Sequence, residues 1–468
     1  MPTSPRRSTA RRMTSAATTM IACIAACALL PLAAAESWLD AHRETASRII
    51  GRALSDTFAW NRLAELTDRF GPRPAGSRGL QEAIQWAVGE MRRDGLENVR
   101  AETVMVPHWI RGAESVEVVR PVSRPLAMLG LGGSVGTGPA GLECETLVVR
   151  NYEELEAAGE KVRGKIVVYN VPFTNYGQTV GYRAAGASRA ARLGAAAVLL
   201  RSVGLPGLRT PHTGALSYQE GTPKIPAAAV SLEDAEMLQR MQDRAQTVVV
   251  RLKMEARTVE DAESANVIAE IRGREKQDEI VVIGGHLDSW DVGEGAMDDG
   301  GGCLVAWTAL KVLKDLNLRP RRTIRVVLFT NEEHGLRGGL AYRDTHREEL
   351  ARHVLMLESD SGVFRPLGFG ISGNDAARAA VTEIAGLLRG IGASRVTQGG
   401  GGADIGPSVR AAQIPGMSLD TEGSRYFLYH HTAADTVDKL DPADMALCVA
   451  AVAVMTYVIA EMPNRLGE

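Results

Sequence analysis

Hydrophobic positions along this chain change their period twice, and the changes divide it into three stretches. Apolar residues recur at helical spacing from Ala53 to Phe70, until Gly71–Ser77 (GPRPAGS) breaks the pattern. Leu80–Met91 predicts a second helix, and Val104–Ile110 a strand. From Pro121 to Arg257 the elements shorten. A Gly-rich loop at Gly130–Gly141 precedes predicted strands at Glu145–Val149, Lys165–Tyr169, Ala196–Leu200 and Thr247–Met254. Helices are expected there at Ala184–Leu193 and Val230–Leu238. From Ser264, strands at Val267–Ile271, Glu279–Gly285, Thr323–Thr330, His353–Leu357 and Met417–Leu419 alternate with helices at Gly301–Leu316, Leu336–His346 and Asp375–Leu388. That alternation predicts an α/β fold with a mostly parallel central sheet and helices on both faces. A last helix begins at Asp441, with Pro442 suited to its first turn. Its apolar run, Ala446–Ala460, is short for a membrane span and predicts a buried core helix.

Length and charge narrow the picture. The 468 residues exceed one simple core and imply two domains with extras. Hydrophobic residues make up 45% and charged residues 23%, and the net charge is −3, an ordinary globular balance without a nucleic-acid signature. Only the N-terminus concentrates basic residues. Arg6, Arg7, Arg11 and Arg12 precede an apolar stretch from Ala16 to Leu32, and Ala33-Ala34-Ala35 offers a small-residue cleavage site. This is the anatomy of a secretory signal over residues 1–35. It predicts a secreted or periplasmic protein with no stable membrane span after cleavage. Ile24-Ala25-Ala26-Cys27 leaves lipid anchoring through Cys27 as the alternative. The remaining Cys144, Cys303 and Cys448 cannot build a disulfide framework.

The chemistry sits at the strand ends. GGHLDSWDVGEGAMDDGGG (Gly284–Gly302), FTNEEHG (Phe329–Gly335), LESDSG (Leu357–Gly362) and YHHTAADT (Tyr429–Thr436) are each expected directly after a strand, at its carboxyl end. Parallel sheets build their sites in the crevice beyond the carboxyl ends of their strands. The loops can thus bring together His286, Asp298, Glu333, Asp360 and His431. Nitrogen and oxygen donors of this kind suit zinc. A pair of zinc ions about 3.5–4 Å apart needs a bridge, and Asp298 is the natural one. One metal would take His286 and Asp360, the other Glu333 and His431. Neighbours on an extended segment point apart, so Glu332 is free to act as general base on a metal-bridging hydroxide or water. Asp288 is placed to receive the second ring N–H of His286. Taken singly, each motif has an ordinary structural reading as a strand cap, solvated loop or core histidine. Their joint placement after strands favours the site.

These four motifs resemble those of the co-catalytic zinc exopeptidases related to aminopeptidase Y and glutamate carboxypeptidase. GHLDSWDVGEGAMDDGGG points to the glutamate carboxypeptidase branch. The resemblance spans essentially the whole mature chain. It implies a zinc exopeptidase fold over residues 36–120 and 258–468, with a protease-associated domain inserted at 121–257. It carries the ligand roles onto His286, Asp298, Glu333, Asp360 and His431, and the base onto Glu332. His430 is adjacent, but the family ligand directly precedes the Thr of H-T-x-x-D-T, which selects His431. The resemblance also implies a cis peptide after Asp298, two zinc ions per chain and short peptide substrates, dipeptides with free ends foremost. Relatives of this kind are often dimers, and nothing in the chain fixes that. Gly399–Gly402 with Asp404 resembles the family's pocket loop, and Tyr426 and Tyr429 could touch substrate. His334, His346 and the pair Arg321-Arg322 are expected at the surface. Dipeptidase, carboxypeptidase and aminopeptidase remain open, as do a non-catalytic binding protein on the same scaffold and a single-zinc cyclotransferase.

Overall fold

A computed structural model describes residues 38–468. The expected signal segment, its cleavage site and Cys27 lie outside these residues.

One eight-stranded sheet carries the histidine and acidic motifs. In spatial order its strands are Glu97–Ile110, Arg257–Ile271, Arg322–Phe329, Lys276–His286, His353–Glu358, Gly416–Thr421, Pro366–Ser372 and Arg395–Gln398. The four central strands run parallel. The first two strands join one edge antiparallel, and Pro366–Ser372 joins the other edge antiparallel. Central strands are covered on both faces and so read as unbroken apolar runs. Ile280, Val281, Val282 and Ile283 are all buried, as are Val326, Val327, Leu328 and Phe329. Helices Gly301–Asp315 and Pro442–Glu461 pack against this sheet and each other. The C-terminal helix is long and apolar enough to cross a membrane, yet 78% of its most apolar window is buried within the protein. It is apolar all round because protein surrounds it.

The second sheet also has eight strands. Its order is Arg124–Pro125, Glu114–Arg120, Val249–Met254, Leu142–Val149, Ile166–Tyr169, Ala197–Arg201, Ala227–Val230 and Met128–Gly130. Its first strand in the chain, Glu114–Arg120, starts ahead of the Pro121 expected from sequence. Helices Tyr152–Ala158, Tyr176–Arg192 and Leu232–Asp243 accompany it.

Several local expectations give way. The single helix over Ala53–Phe70 is two, Arg43–Leu54 and Phe58–Phe70. Asp56 Oδ1 accepts the Phe58 N–H at 2.7 Å, starting the second helix afresh. Ala227–Val230 is a buried strand, and the helix expected from Val230 begins at Leu232 behind the cap Ser231. Burial between strand neighbours overrides the helix preference of its alanines. Arg322 is fully buried and not solvated, bonded to Glu279 and the Met462 carbonyl. His346 is also buried, held by Glu102 (2.9 Å) and Glu349 (2.6 Å). His334 is half-buried against Trp290, ring centroids 4.4 Å apart.

Candidate metal centre

The parallel strands deliver their loops to one crevice. Lys276–His286 ends on His286, Arg322–Phe329 leads into Glu332 and Glu333, and His353–Glu358 leads into Asp360. Asp298 comes from the loop between His286 and helix Gly301–Asp315, and the Asp298–Asp299 peptide is cis. This loop is held from several directions. Asp435 accepts the N–H groups of Ala296, Met297 and Asp298 at 3.1, 2.7 and 3.2 Å. Asp299 turns away, its Oδ2 accepting the His286 N–H (3.0 Å) and its Oδ1 the Gly302 N–H (3.2 Å). Arg73, fully buried, donates to the carbonyls of Leu287, Glu294 and Gly295. Residue 302 must be glycine, since a Cβ there would lie 1.7 Å from the Ser359 carbonyl oxygen. Sequence reasoning missed Arg73, Asp299 and Asp435; only the HTAADT spacing hinted at the last.

All five expected ligands meet in this crevice. His286 Nε2 lies 3.2 Å from Asp298 Oδ1 and 3.7 Å from Asp360 Oδ1. His431 Nε2 lies 3.3 Å from Asp298 Oδ2 and 3.2 Å from Glu333 Oε2. Asp298 thus presents one oxygen to each half of the cluster. His286 Nε2, Asp298 Oδ2, Glu333 Oε1 and Asp360 Oδ1 are buried without a hydrogen-bond partner. Orphaned groups of this kind are costly in a protein interior. A cation set among them would satisfy them, and imidazole with carboxylate is a zinc donor set. The residues present therefore fit zinc. Asp299 also comes near His286 and Asp360, but backbone N–H groups already engage both its oxygens.

Asp288 differs from expectation. The His286 Nδ1 proton goes to the backbone carbonyl of Asp288 (2.9 Å), not to its carboxylate, which is 3.9 Å away. That carboxylate instead accepts the N–H groups of Glu332 (3.1 Å) and Glu333 (3.3 Å). It holds the Glu332–Glu333 segment in place through its main chain. Burial pushes the Glu332 carboxyl well up, His286 opposes this, and Glu333, Asp360 and Asp404 add to the rise. Burial likewise raises Asp360. Asp404, at the Gly-rich loop, is buried with neither carboxylate oxygen partnered, and burial together with Glu358 raises it well above the usual range.

A cavity of about 760 Å³ opens over the cluster, with Glu332, Glu333, Asp298, Asp360 and Tyr426 on its wall. Tyr429 is not part of that wall. The second sheet's module reaches in as well. Its Arg183 and Tyr176 line the cavity and bond each other at 2.6 Å. Its Thr213 carbonyl and its Arg183 Nη1 each lie 3.3 Å from His431 Nδ1, so the module holds that side of the ring while Nε2 faces the carboxylates of Asp298 and Glu333. On the catalytic side, half-exposed Arg395 lies 3.6 Å from Asp420.

A mixed α/β sheet with a histidine–carboxylate cluster at its strand ends, and a second module reaching over it, defines a zinc metallo-exopeptidase. The profile of peptidase family M28 matches residues 266–456, and that of the PA domain matches residues 134–238. Carboxypeptidase Q of Mus musculus is 44% identical over 428 residues, 91% of each chain. Carboxypeptidase Q of Homo sapiens is 45% identical, covering 87% of this chain and 86% of its own. A crystal structure of a peptidase M28 precursor from Shewanella amazonensis superposes with a TM-score of 0.86 at 37% identity, covering 91% of this chain and 98% of that one. The zinc aminopeptidase BSAP from Bacillus subtilis shares the fold, with a TM-score of 0.67 at 21% identity over 88% of this chain and 96% of its own. The chain belongs to peptidase family M28.

Proposed function

We propose that this protein is a secreted or periplasmic exopeptidase with two zinc ions per chain, acting like carboxypeptidase Q on short peptides, dipeptides with free termini foremost. The observation that carries the reading is the division of Asp298, one oxygen toward His286 and the other toward His431, among buried donors that lack partners. His286 and Asp360 would hold one ion, Glu333 and His431 the other, with Asp298 between them. When bound, the ions lower the pKa of water and polarise the scissile carbonyl.

The chain's own residues do the rest. Glu332 takes the proton of the attacking water and returns it to the departing amine. Asp288 fixes Glu332 and Glu333 through their N–H groups. Arg183, projecting from the inserted module, offers a cation to a substrate carboxylate. The cavity wall drawn from two modules favours a small substrate over a folded chain.

Turnover of three matched peptides tests the reading: a free dipeptide, its N-acetylated form and its C-terminal amide. Cleavage blocked by both modifications is the expected result. Blockage by acetylation alone would make the enzyme an aminopeptidase on longer peptides, and by amidation alone a carboxypeptidase. Failure to cleave any of them with zinc bound would point to a binding protein on this scaffold.

A further inference from the structure

Arg395 and Asp420 line the cavity, and the mechanism above uses neither. Their place follows from the sheet. Beyond the strand that leads to Asp360 come Gly416–Thr421, Pro366–Ser372 and, at the edge, Arg395–Gln398. Glu358 and Ser418 are in register, so Asp360 and Asp420 each stand two residues past that pair. The last two strands run against the central ones, which brings Arg395, the first residue of the edge strand, to the crevice end. Asp420 and Arg395 both pair with Gly368 on the strand between them, which puts no side chain in their way. Ser418, Gly370 and Thr397 repeat the arrangement one rung on. A Cβ on Gly370 would lie 2.7 Å from Ser418 Oγ and 3.3 Å from Asp420 Oδ1, so glycine there lets the carboxylate lie across the strand.

The two charges are held unequally. Asp420 accepts from Thr397 Oγ1 (2.9 Å) and Ser418 Oγ (3.3 Å). The Arg395 guanidinium stands 3.6 Å from Asp420, beyond hydrogen-bond reach, and its side chain is 52% exposed. A guanidinium carries five N–H donors in a planar fork that matches a carboxylate. Asp420 is thus fixed by the wall and orients the cation, while the cation's donors stay open to the cavity. Position says which part of a substrate they meet. Arg183 approaches the cluster from the inserted module, at His431. Arg395 approaches from the far end of the sheet, its strand about 14 Å from that of Asp360 at the usual strand spacing. Its own long side chain and that of a substrate residue together span such a gap. With the C-terminal carboxylate at Arg183, the residue that reaches toward Arg395 is the N-terminal one.

We propose that Arg395, oriented by Asp420, is a specificity-determining residue that pairs with a side-chain carboxylate on the substrate's N-terminal residue, so that dipeptides beginning with an acidic residue are favoured. It rests on the exopeptidase reading and names the substrate class of that same site.

The test compares turnover of the dipeptides Glu-Leu, Gln-Leu and Lys-Leu by wild type, Arg395→Gln and Arg395→Glu, with zinc counted on each. In wild type, kcat/KM for Glu-Leu should exceed that for Gln-Leu on the order of 10-fold, mostly through KM, the scale of a hydrogen bond to a charged group. Arg395→Gln should erase that preference, and Arg395→Glu should place Lys-Leu above Glu-Leu, with zinc per chain the same throughout. Each preference is a ratio within one preparation, so a partly unfolded variant does not distort it. Equal cleavage of Glu-Leu and Gln-Leu by wild type would overturn the proposal and leave the exopeptidase reading standing. So would a preference for Glu-Leu that survives in Arg395→Gln; if all three peptides weaken together there, Arg395 holds the main-chain carboxylate instead. No cleavage of any peptide by zinc-loaded wild type would sink the exopeptidase reading and this proposal with it.

Discussion

Two buried acidic clusters lie in the same domain, and their acids are treated differently. Around Arg325, every acid has a cation. Arg325 donates to Glu270 (2.7 Å) and Tyr342 (2.9 Å) and pairs with Glu349, while His346 bridges Glu349 and Glu102. Around Asp298, carboxylates outnumber their donors, and four buried side-chain atoms have no hydrogen-bond partner. The first cluster closes on itself and holds helix Arg337–Thr345 to the sheet. The second is left open to something outside the chain. Satisfaction of the acids by partners is what separates the two clusters.

The sharpest way to break this contrast is Asp298→Ala. Removing the shared carboxylate should abolish nearly all turnover and lower the zinc content, measured by elemental analysis of the purified protein. Two zinc ions still bound would mean the bridge lies elsewhere. Arg325→Met should do the reverse. It leaves Glu270 and Glu349 without their cation and should destabilise folding by about 3–5 kcal/mol. Zinc content and turnover per folded molecule should not change. Denaturant unfolding with parallel assays checks both halves, and loss of zinc in this variant would show that the clusters are coupled.

The smallest effect is a pH dependence. Burial works against a charge on His346, but its hydrogen bonds to Glu102 and Glu349 outweigh it and hold its pKa above the ordinary value. A group with a raised folded pKa stabilises most below its unfolded value, roughly 6.5, and that stability is lost as pH climbs through the raised value. His346→Gln should therefore flatten the decline in stability on the alkaline side of neutrality. An unaltered slope in urea melts from pH 6 to 9 would remove His346 from the account.

The crevice could be anticipated from the sequence because three of the residues proposed to hold metal end or follow strands whose apolar runs are plain. His286 ends Lys276–His286, Glu333 follows Phe329 by a few residues, and Asp360 follows Glu358. What escaped acts across long separations. Asp435 caps N–H groups of residues 296–298, and Arg73 gathers carbonyls from residues 287–295. No local pattern announces Arg73, and only the HTAADT spacing hints at Asp435. Arg322 and His346 read as surface residues because a charge beside a strand or helix end is usually solvated. Their partners, Glu279 and Glu102, belong to other strands. Asp288 was assigned the right neighbourhood and the wrong bond, since a backbone carbonyl supplied what a carboxylate was expected to. Pro366–Ser372 and the four-residue edge strand Arg395–Gln398 were not among the strands expected from the sequence.

The central claim is that the open cluster binds two metal ions and that Glu332 moves the proton. Zinc per chain and dipeptide turnover, measured on one preparation of Glu332→Gln beside wild type, test it most directly. The account predicts two zinc ions in both and turnover lower by about 10²–10⁴-fold in the variant. Wild-type turnover in Glu332→Gln, or a single zinc in the wild type, would contradict it.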